Sequence, residues 1–282
     1  MKLTEEQAKQ YKKDGFLIIR NFNTTEEVDK VRGEMKKLID ELDTPSTISI
    51  FTTKEQDRKI DDYFLGSGDK IRYFFEKGAI EDGKLVVPKE MAFNKVGHAL
   101  HDLNPKFEEF SYSQKIRDLI YSLGIYKKAL SVQSMYIFKN QKIGGEVDIH
   151  QDSTFLHTTP LSTHAIWFAF EDSTVENGCL RGLPGSHTEG ITKRFITDPN
   201  SVTGCSFTKL SEDKVYNKSD FVALECKKGD IILLDGSLVH YSEPNTSPNS
   251  RHAYTLHFIE GDNGVIYEKN NWLQSEKPFR VL

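Results

Sequence analysis

Three ionisable residues are spaced so that they could hold one metal ion. His150 and Asp152 close the extended-looking run Glu146-Val-Asp-Ile-His-Gln-Asp152. In a β-strand, side chains at i and i+2 point to the same side, so one strand would deliver both ligands. A third donor is His240, which follows a second apolar run, Gly229-Asp-Ile-Ile-Leu-Leu-Asp-Gly-Ser-Leu-Val239. Two imidazoles and one carboxylate on one face leave the opposite coordination positions open, the ligand set typical of non-haem Fe(II) oxygenases. Arg251 stands a short way beyond, opening the stretch Arg251-His-Ala-Tyr-Thr-Leu-His-Phe258. Each signal is weak alone, because His-x-Asp is short and a lone histidine is more often a hydrogen-bonded core or surface residue. Their order, their spacing and the β character around them make the combination specific.

Holding these residues needs strands that face one another. From residue 130 the chain becomes a series of short β runs, 131–138, 146–152, 164–170, 221–225, 230–234 and 254–259, punctuated by Gly, Asn, Asp and Pro. Many short strands between turn residues predict a sandwich or barrel, and a double-sheet jelly roll accommodates such a metal site. The expected fold is mainly β with flanking helices around a double-stranded β-helix (jelly-roll, cupin-like) core. A helical N-terminal region, about 1–125, is expected to pack on a core of about 130–262. No linker, repeat or low-complexity tract divides the chain, so one domain over 1–282 is expected.

Ahead of the core, 4–13 reads as a helix and 16–22 as a strand. Thr24 with Glu27 three residues later forms a capping box. Behind it Val28, Val31, Met35, Leu38 and Leu42 fall on one helical stripe, a face for the sheet. A further helix spans about 115–123 and ends at Gly124. Residues 44–111 are the least regular part. Their aromatic segment 62–77 reads equally as an edge hairpin or as a wall of the pocket mouth.

Composition excludes several roles. The 282 residues suffice for a sizeable core. Lys+Arg number 37 against 42 Asp+Glu, a net charge of −5, so no global basic field invites nucleic acid or an anionic membrane. Mean hydropathy is −0.51, and no apolar run approaches the roughly 18 residues of a membrane helix. Cys179, Cys205 and Cys226 are odd in number and far apart, which fits a reducing compartment. The charged start lacks a signal-peptide core, and the final Phe279-Arg-Val-Leu282 is no peroxisomal address; a cytoplasmic protein is expected.

The chain resembles the phytanoyl-CoA dioxygenase family of Fe(II)/2-oxoglutarate oxygenases. The resemblance runs through Asp14-Gly-Phe-Leu-Ile-Ile19, Asp62-Tyr-Phe-Leu-Gly-Ser-Gly-Asp-Lys-Ile-Arg-Tyr-Phe-Phe-Glu-Lys77, Asn94-Lys-Val-Gly-His-Ala-Leu-His101 and Gln133-Ser-Met-Tyr-Ile-Phe-Lys139. It continues through His150-Gln-Asp152, Glu176-Asn-Gly-Cys-Leu180, Pro184-Gly-Ser-His187 and Asn271-Trp-Leu-Gln274. The middle blocks are long enough to exclude chance agreement. The resemblance implies that His150, Asp152 and His240 bind Fe(II) and serve catalysis. It also implies oxidative decarboxylation of 2-oxoglutarate to succinate and CO2, coupled through dioxygen to C–H hydroxylation of a small molecule. Ascorbate would serve as reductant. Because related halogenases lack the carboxylate, Asp152 points to hydroxylation.

Arg251 takes the far carboxylate of 2-oxoglutarate in this picture, since a guanidinium forms two parallel charge-assisted hydrogen bonds to a carboxylate. Many relatives in the wider superfamily add a Ser two residues after that Arg, where this chain has Ala253. Thr255, Gln133 or Lys95 would have to supply the missing hydrogen bond. By pattern alone Lys95 reads as a solvated lysine, and Met135 and Trp167 as ordinary core residues. The resemblance places all three at the pocket. His157, His164, His187, His252 and His257 have no ligand spacing and read as structural. Arg181-Gly182 stands where relatives carry bulkier apolar residues, and is expected to widen the pocket or bring a cation to it. Two other readings keep the fold: a Zn-type metallohydrolase with the same three ligands, which gives Arg251 no role, and a non-catalytic binding module. Substrate identity and oligomeric state are not legible.

Overall fold

The structure is a computed structural model that describes residues 1–43, 49–50, 62–201 and 203–282. In chain order the elements used below are α1 (Glu5–Asp14), β1 (Phe16–Ile19), α2 (Thr25–Glu41), β2 (Ile71–Phe75), β3 (Phe93–His98), α3 (Pro105–Ser111) and α4 (Gln114–Ser122). They continue as β4 (Ala129–Ile137), β5 (Val147–His150), β6 (His164–Ala169), β7 (Leu180–Gly182), β8 (Lys193–Thr197) and β9 (Cys205–Lys209). The last are β10 (Val222–Leu224), β11 (Ile231–Asp235), β12 (His240–Ser242) and β13 (Ala253–Glu260). The part of the irregular stretch that falls on 44–48 and 51–61 lies outside the described residues.

Two antiparallel sheets face one another. The larger runs β1-β11-β6-β13-β4-β3-β2, and Arg280–Val281 pairs with β4 off this path. The smaller runs β10-β7-β12-β5, and β8 and β9 form a separate hairpin. This is the expected double-stranded β-helix. The larger sheet draws β1, β2 and β3 from the first 125 residues, so that region builds the sheet as well as covering it.

Alternation along the strands sorts their side chains into two sets. Ile166, Phe168, Tyr254, Leu256, Phe258, Ile231 and Leu233 point to the helices and form one core with Val28, Val31, Met35 and Ile39 of α2 and Phe107, Phe110, Ile116, Leu119 and Ile120 of α3 and α4. Their strand neighbours Ala165, Trp167, Ala169, Ile232, Leu234 and Ala253 point the other way, toward Leu180 and Leu224 of the smaller sheet. Each fully buried aliphatic or aromatic side chain is worth about 1.5–3 kcal/mol, so the helix layer is a major part of the stability.

The capping box at Thr24 is present. On α2 the buried stripe continues from Met35 to Ile39, while Leu38 and Leu42 stay partly exposed. A spacing of seven and then eleven from Val28 keeps closer to the 3.6-residue period than the expected continuation. β1 stops at Ile19 instead of 22, because Asn21 adopts φ 52° and the buried Asp230 carboxylate accepts from Asn21 N (2.8 Å) and Arg20 Nη1 (2.7 Å). In the aromatic segment β2 is an edge strand of the larger sheet, and Phe64 and Phe74 also line the cavity.

Candidate metal centre and the cavity around it

β5 and β12 are adjacent antiparallel strands, and their register pairs His150 with His240 directly. The two imidazole centroids are 4.2 Å apart. Asp152 reaches them differently from the expectation that one strand carries both residues. β5 ends at His150, and Asp152 begins a 3-10 turn, Asp152–Thr154. Gln151, between them, is buried and donates its amide to Gly190 O (2.7 Å) and Ser237 O (2.6 Å), while Ser153 N donates to Gly236 O (2.7 Å). These bonds fasten the turn to the loop that leads into His240, so both halves of the cluster are fixed to one another. The break after His150 arises because Gln151 and Ser153 bond to that loop instead of continuing a ladder.

Asp152 Oδ1 lies 3.5 Å from His150 Nε2 and 3.8 Å from His240 Nε2, and one ligand atom from each residue falls within 4.8 Å of the others. Both Nδ1 atoms donate to main-chain carbonyls, His150 to Asp148 O (2.8 Å) and His240 to Leu238 O (3.0 Å). A carbonyl only accepts, so each Nδ1 carries a hydrogen and each ring turns its Nε2 toward the cluster. Burial, reinforced by the His150 imidazole, pushes His240 down to about 4. Burial alone would raise the Asp152 carboxyl. The imidazoles of His240 and His257, with hydrogen bonds from His150 and His257, outweigh it and hold Asp152 well below the usual carboxylate range. Two imidazoles oriented by their Nδ1 hydrogen bonds and one carboxylate form a donor set that suits a divalent ion.

The cluster opens on a cavity of about 610 Å³ between the sheets. The structure brings Lys95, Met135, Trp167, Thr255, Arg251 and the cluster itself to this cavity. Lys95 is buried, contrary to its reading as a solvated lysine, with Nζ 3.7 Å from Met135 Sδ and over the Phe64 and Phe74 rings at 5.7 and 5.4 Å. Thr255 Oγ1 lies 3.5 Å from Met135 O, and Gln133 lines the same wall. Ala253 sits in the intersheet core.

Arg251 precedes β13 rather than opening it. It is 1% exposed, its guanidinium carbon is 5.1 Å from the Trp167 ring centre, and Nε and Nη1 have no hydrogen-bond partner. Trp167 Nε1 is likewise buried and unpartnered. Burial pulls Arg251 down to about 10 against support from the Cys179 and Cys226 thiols and Glu171. Glu171 is itself engaged by Arg32, Ser250 Oγ and His252 N. Orphaned buried donors are costly, and both residues that carry them line the cavity that holds the cluster. An anion bound there would satisfy them.

Two expectations fail. Arg181 does not line the cavity: in β7 it pairs with Tyr241 and faces away, while Leu180 faces in. Gly182 does not widen the cavity either, since a Cβ there would meet Leu224 and Leu238 at 3.4 Å and Phe16 at 3.5 Å in the intersheet core. Alternation decides the first, and the neighbours packed over Gly182 decide the second. The second failure concerns a residue missed. His164 bonds to Tyr126 OH (2.7 Å), His252 to Tyr136 OH (2.9 Å), and His187 Nε2 to Lys12 O (3.2 Å), all structural contacts. His257 lines the cavity, its Nε2 3.2 Å from Asp152 Oδ2. Its place was legible: it lies two residues after Thr255 and six after Arg251, on the same strand face.

A His, Asp, His cluster and an orphaned arginine between the sheets of a double-stranded β-helix define an oxygenase-type metal site. The family model described as phytanoyl-CoA dioxygenase (PhyH) matches residues 11–253. The chain belongs to this family, and is an enzyme of the dioxygenase class. It is 90% identical over 282 residues to a phytanoyl-CoA dioxygenase domain-containing protein 1 homolog of Dictyostelium discoideum, with 100% of each chain covered. It is 42% identical to phytanoyl-CoA dioxygenase domain-containing protein 1 of Mus musculus, covering 99% of this chain and 98% of that one. Among solved structures it is similar to EctD from S. alaskensis with 2-oxoglutarate and 5-hydroxyectoine, at 18% identity, TM-score 0.64, and coverage of 99% and 82%. At that identity the likeness speaks for the fold.

Proposed function

We propose that the protein is an Fe(II)- and 2-oxoglutarate-dependent hydroxylase of a small, largely apolar molecule, built as a single domain. The observation that carries this reading is Arg251, a buried cation with unpartnered N–H groups beside three neutral or anionic ligand atoms. His150, Asp152 and His240 would hold the iron, each through one atom. Iron bound there would supply the chemistry that couples dioxygen and loss of CO2 from 2-oxoglutarate, leaving succinate, to hydroxylation of a C–H bond. Arg251 would grip the distal carboxylate of the co-substrate with two parallel hydrogen bonds, and the Trp167 N–H would add a third donor. Lys95, Met135 and Thr255 line the adjacent wall and would shape the same subsite. Phe64, Phe74, Phe155, Phe207 and Trp272 line the cavity and would enclose an apolar substrate, which on binding would displace water from the reacting centre.

Ascorbate is proposed as the reductant that keeps the metal ferrous. The three cysteines are free, which fits a reducing compartment, and the cytosol is the proposed location. No helix among the described residues is long and apolar enough to cross a membrane. A Zn hydrolase would leave Arg251 and Trp167 without a partner, so the hydroxylase is preferred.

The test is an anaerobic titration with Fe(II) and 2-oxoglutarate, followed by dioxygen and succinate measurement, on wild type, His150→Ala and Arg251→Lys. The reading expects a charge-transfer absorption and slow succinate formation in wild type. His150→Ala should lose both, and Arg251→Lys should need at least tenfold more 2-oxoglutarate. Metal binding without any 2-oxoglutarate binding would overturn it.

A further inference from the structure

We infer that His257 is a positioning residue that turns the Asp152 carboxylate so that one oxygen alone is offered to the metal; this rests on the metal-site reading above. The two oxygens of Asp152 have separate surroundings. Oδ1 faces the Nε2 atoms of His150 and His240 at 3.5 and 3.8 Å, whereas Oδ2 faces His257 Nε2 at 3.2 Å. A carboxylate only accepts, so His257 Nε2 carries the hydrogen of this contact. His257 is not itself part of the ligand cluster, which consists of His150, Asp152 and His240.

The backbone leaves Asp152 needing such a support. It sits on a turn beyond the end of β5, so the strand that fixes His150 does not fix the carboxylate. His257 is held firmly: it lies within β13, a central strand of the larger sheet paired on both sides, opposite Gln133 of β4 and Ala165 of β6. The ladder shifts register immediately after it, between His257 and Phe258. The smaller sheet thus carries the imidazole ligands and the larger sheet aims the carboxylate.

The chemical consequence concerns coordination number. A carboxylate free to rotate can bind through both oxygens and would occupy a fourth position, closing one of the three that a bidentate 2-oxo acid and dioxygen need. Engaging Oδ2 elsewhere keeps the ligand monodentate. Outer partners of ligands of this kind change metal affinity by about 10–100-fold when removed.

The experiment measures Co(II) and Fe(II) affinity, and the ligand-field spectrum of the Co(II) form, for wild type, His257→Leu, His257→Gln and His257→Met. The Gln Nε2 can restore a donor close to the position of the imidazole Nε2. Leu and Met fill the space without one. The expected result is a roughly 10–100-fold loss of affinity and an altered Co(II) spectrum in the Leu and Met variants, with His257→Gln returning to within a few-fold of wild type. Should His257→Leu fail to fold, His257→Met against His257→Gln carries the same comparison. Equal affinity and spectra in the Met, Gln and wild-type proteins overturn the role of His257 while leaving the metal site intact. A wild type that binds neither ion overturns the metal site and this role together.

Discussion

His150 and His240 are direct partners across two antiparallel strands, their rings 4.2 Å apart, so the ladder of the smaller sheet itself sets the separation of the two imidazole ligands. Their Nδ1 atoms are both committed to carbonyls two residues back, which leaves Nε2 as the free atom on each. Replacing either ring by Ala is expected to weaken Fe(II) or Co(II) binding by at least 100-fold. Isothermal titration would check it. Replacement by Asn should be nearly as damaging, because its shorter side chain cannot place a donor atom where Nε2 stands.

Gln151 links the ligand turn to Ser237, in the loop before His240, and to Gly190, in the loop after β7, through two short amide hydrogen bonds. Gln151→Leu leaves Gly190 O and Ser237 O without this donor, and is expected to cost about 1–3 kcal/mol. Because the turn carries Asp152, metal affinity should fall in the same variant, by about tenfold. Chemical denaturation and metal titration on one preparation would show both effects; loss of stability with unchanged affinity would contradict the coupling.

Trp167 lines the cavity beside Arg251, and its buried indole N–H has no partner. Trp167→Phe keeps much of the ring face under the guanidinium and removes the donor. One hydrogen bond is worth about 0.5–1.5 kcal/mol, so 2-oxoglutarate affinity should drop several-fold while the apo protein remains folded. Titration against anaerobic Fe(II) protein provides the measurement.

Burial holds two fully enclosed histidines neutral, pushing His101 and His240 each down to about 4. Their folded values lie below the unfolded value of about 6.5, so between these limits the unfolded chain binds protons that the folded chain refuses. The metal-free protein should therefore lose stability as pH falls from 6.5 towards 4. From pH 7 to pH 5 the expected loss is about 2 kcal/mol for each residue. Urea denaturation across this range, with chelator present, gives the slope. His101→Leu should flatten it whatever its effect at pH 7.

Met35 sits on the α2 face, 1% exposed and packed in the core between helices and sheet, on the side opposite the cavity. Met35→Ala is expected to destabilise by about 2–5 kcal/mol. Metal affinity of the folded fraction should be unchanged, and a tenfold fall in it would show that the helix layer and the site are coupled.

Much of this was legible from spacing. The cluster, Arg251, the capping box at Thr24 and the β-rich second half follow from local pattern, since alternation and capping are local physics. Two features were not, each for a reason of its own. Asp152 leaves the strand because Gln151 and Ser153 find partners in a loop distant in sequence. Lys95 is buried because aromatic rings from 64 and 74 close over it, a contact no local pattern announces. Arg181 was misjudged on composition although strand parity was available, and His257 was dismissed for lacking a metal-ligand spacing although it shares the face of Arg251 and Thr255.

β13 carries two vocabularies interleaved letter by letter: Tyr254, Leu256 and Phe258 belong to the scaffold, and Thr255 and His257 to the cavity. The insertion or loss of one residue inside it would exchange the two sets, sending rings into the cavity and polar groups under the helices. A change of length inside such a strand therefore has to be absorbed by a bulge, as the ladder absorbs one between His257 and Phe258, whereas the joining loops carry no such constraint. The part of the chain that must keep count and the part that need not are thus different parts.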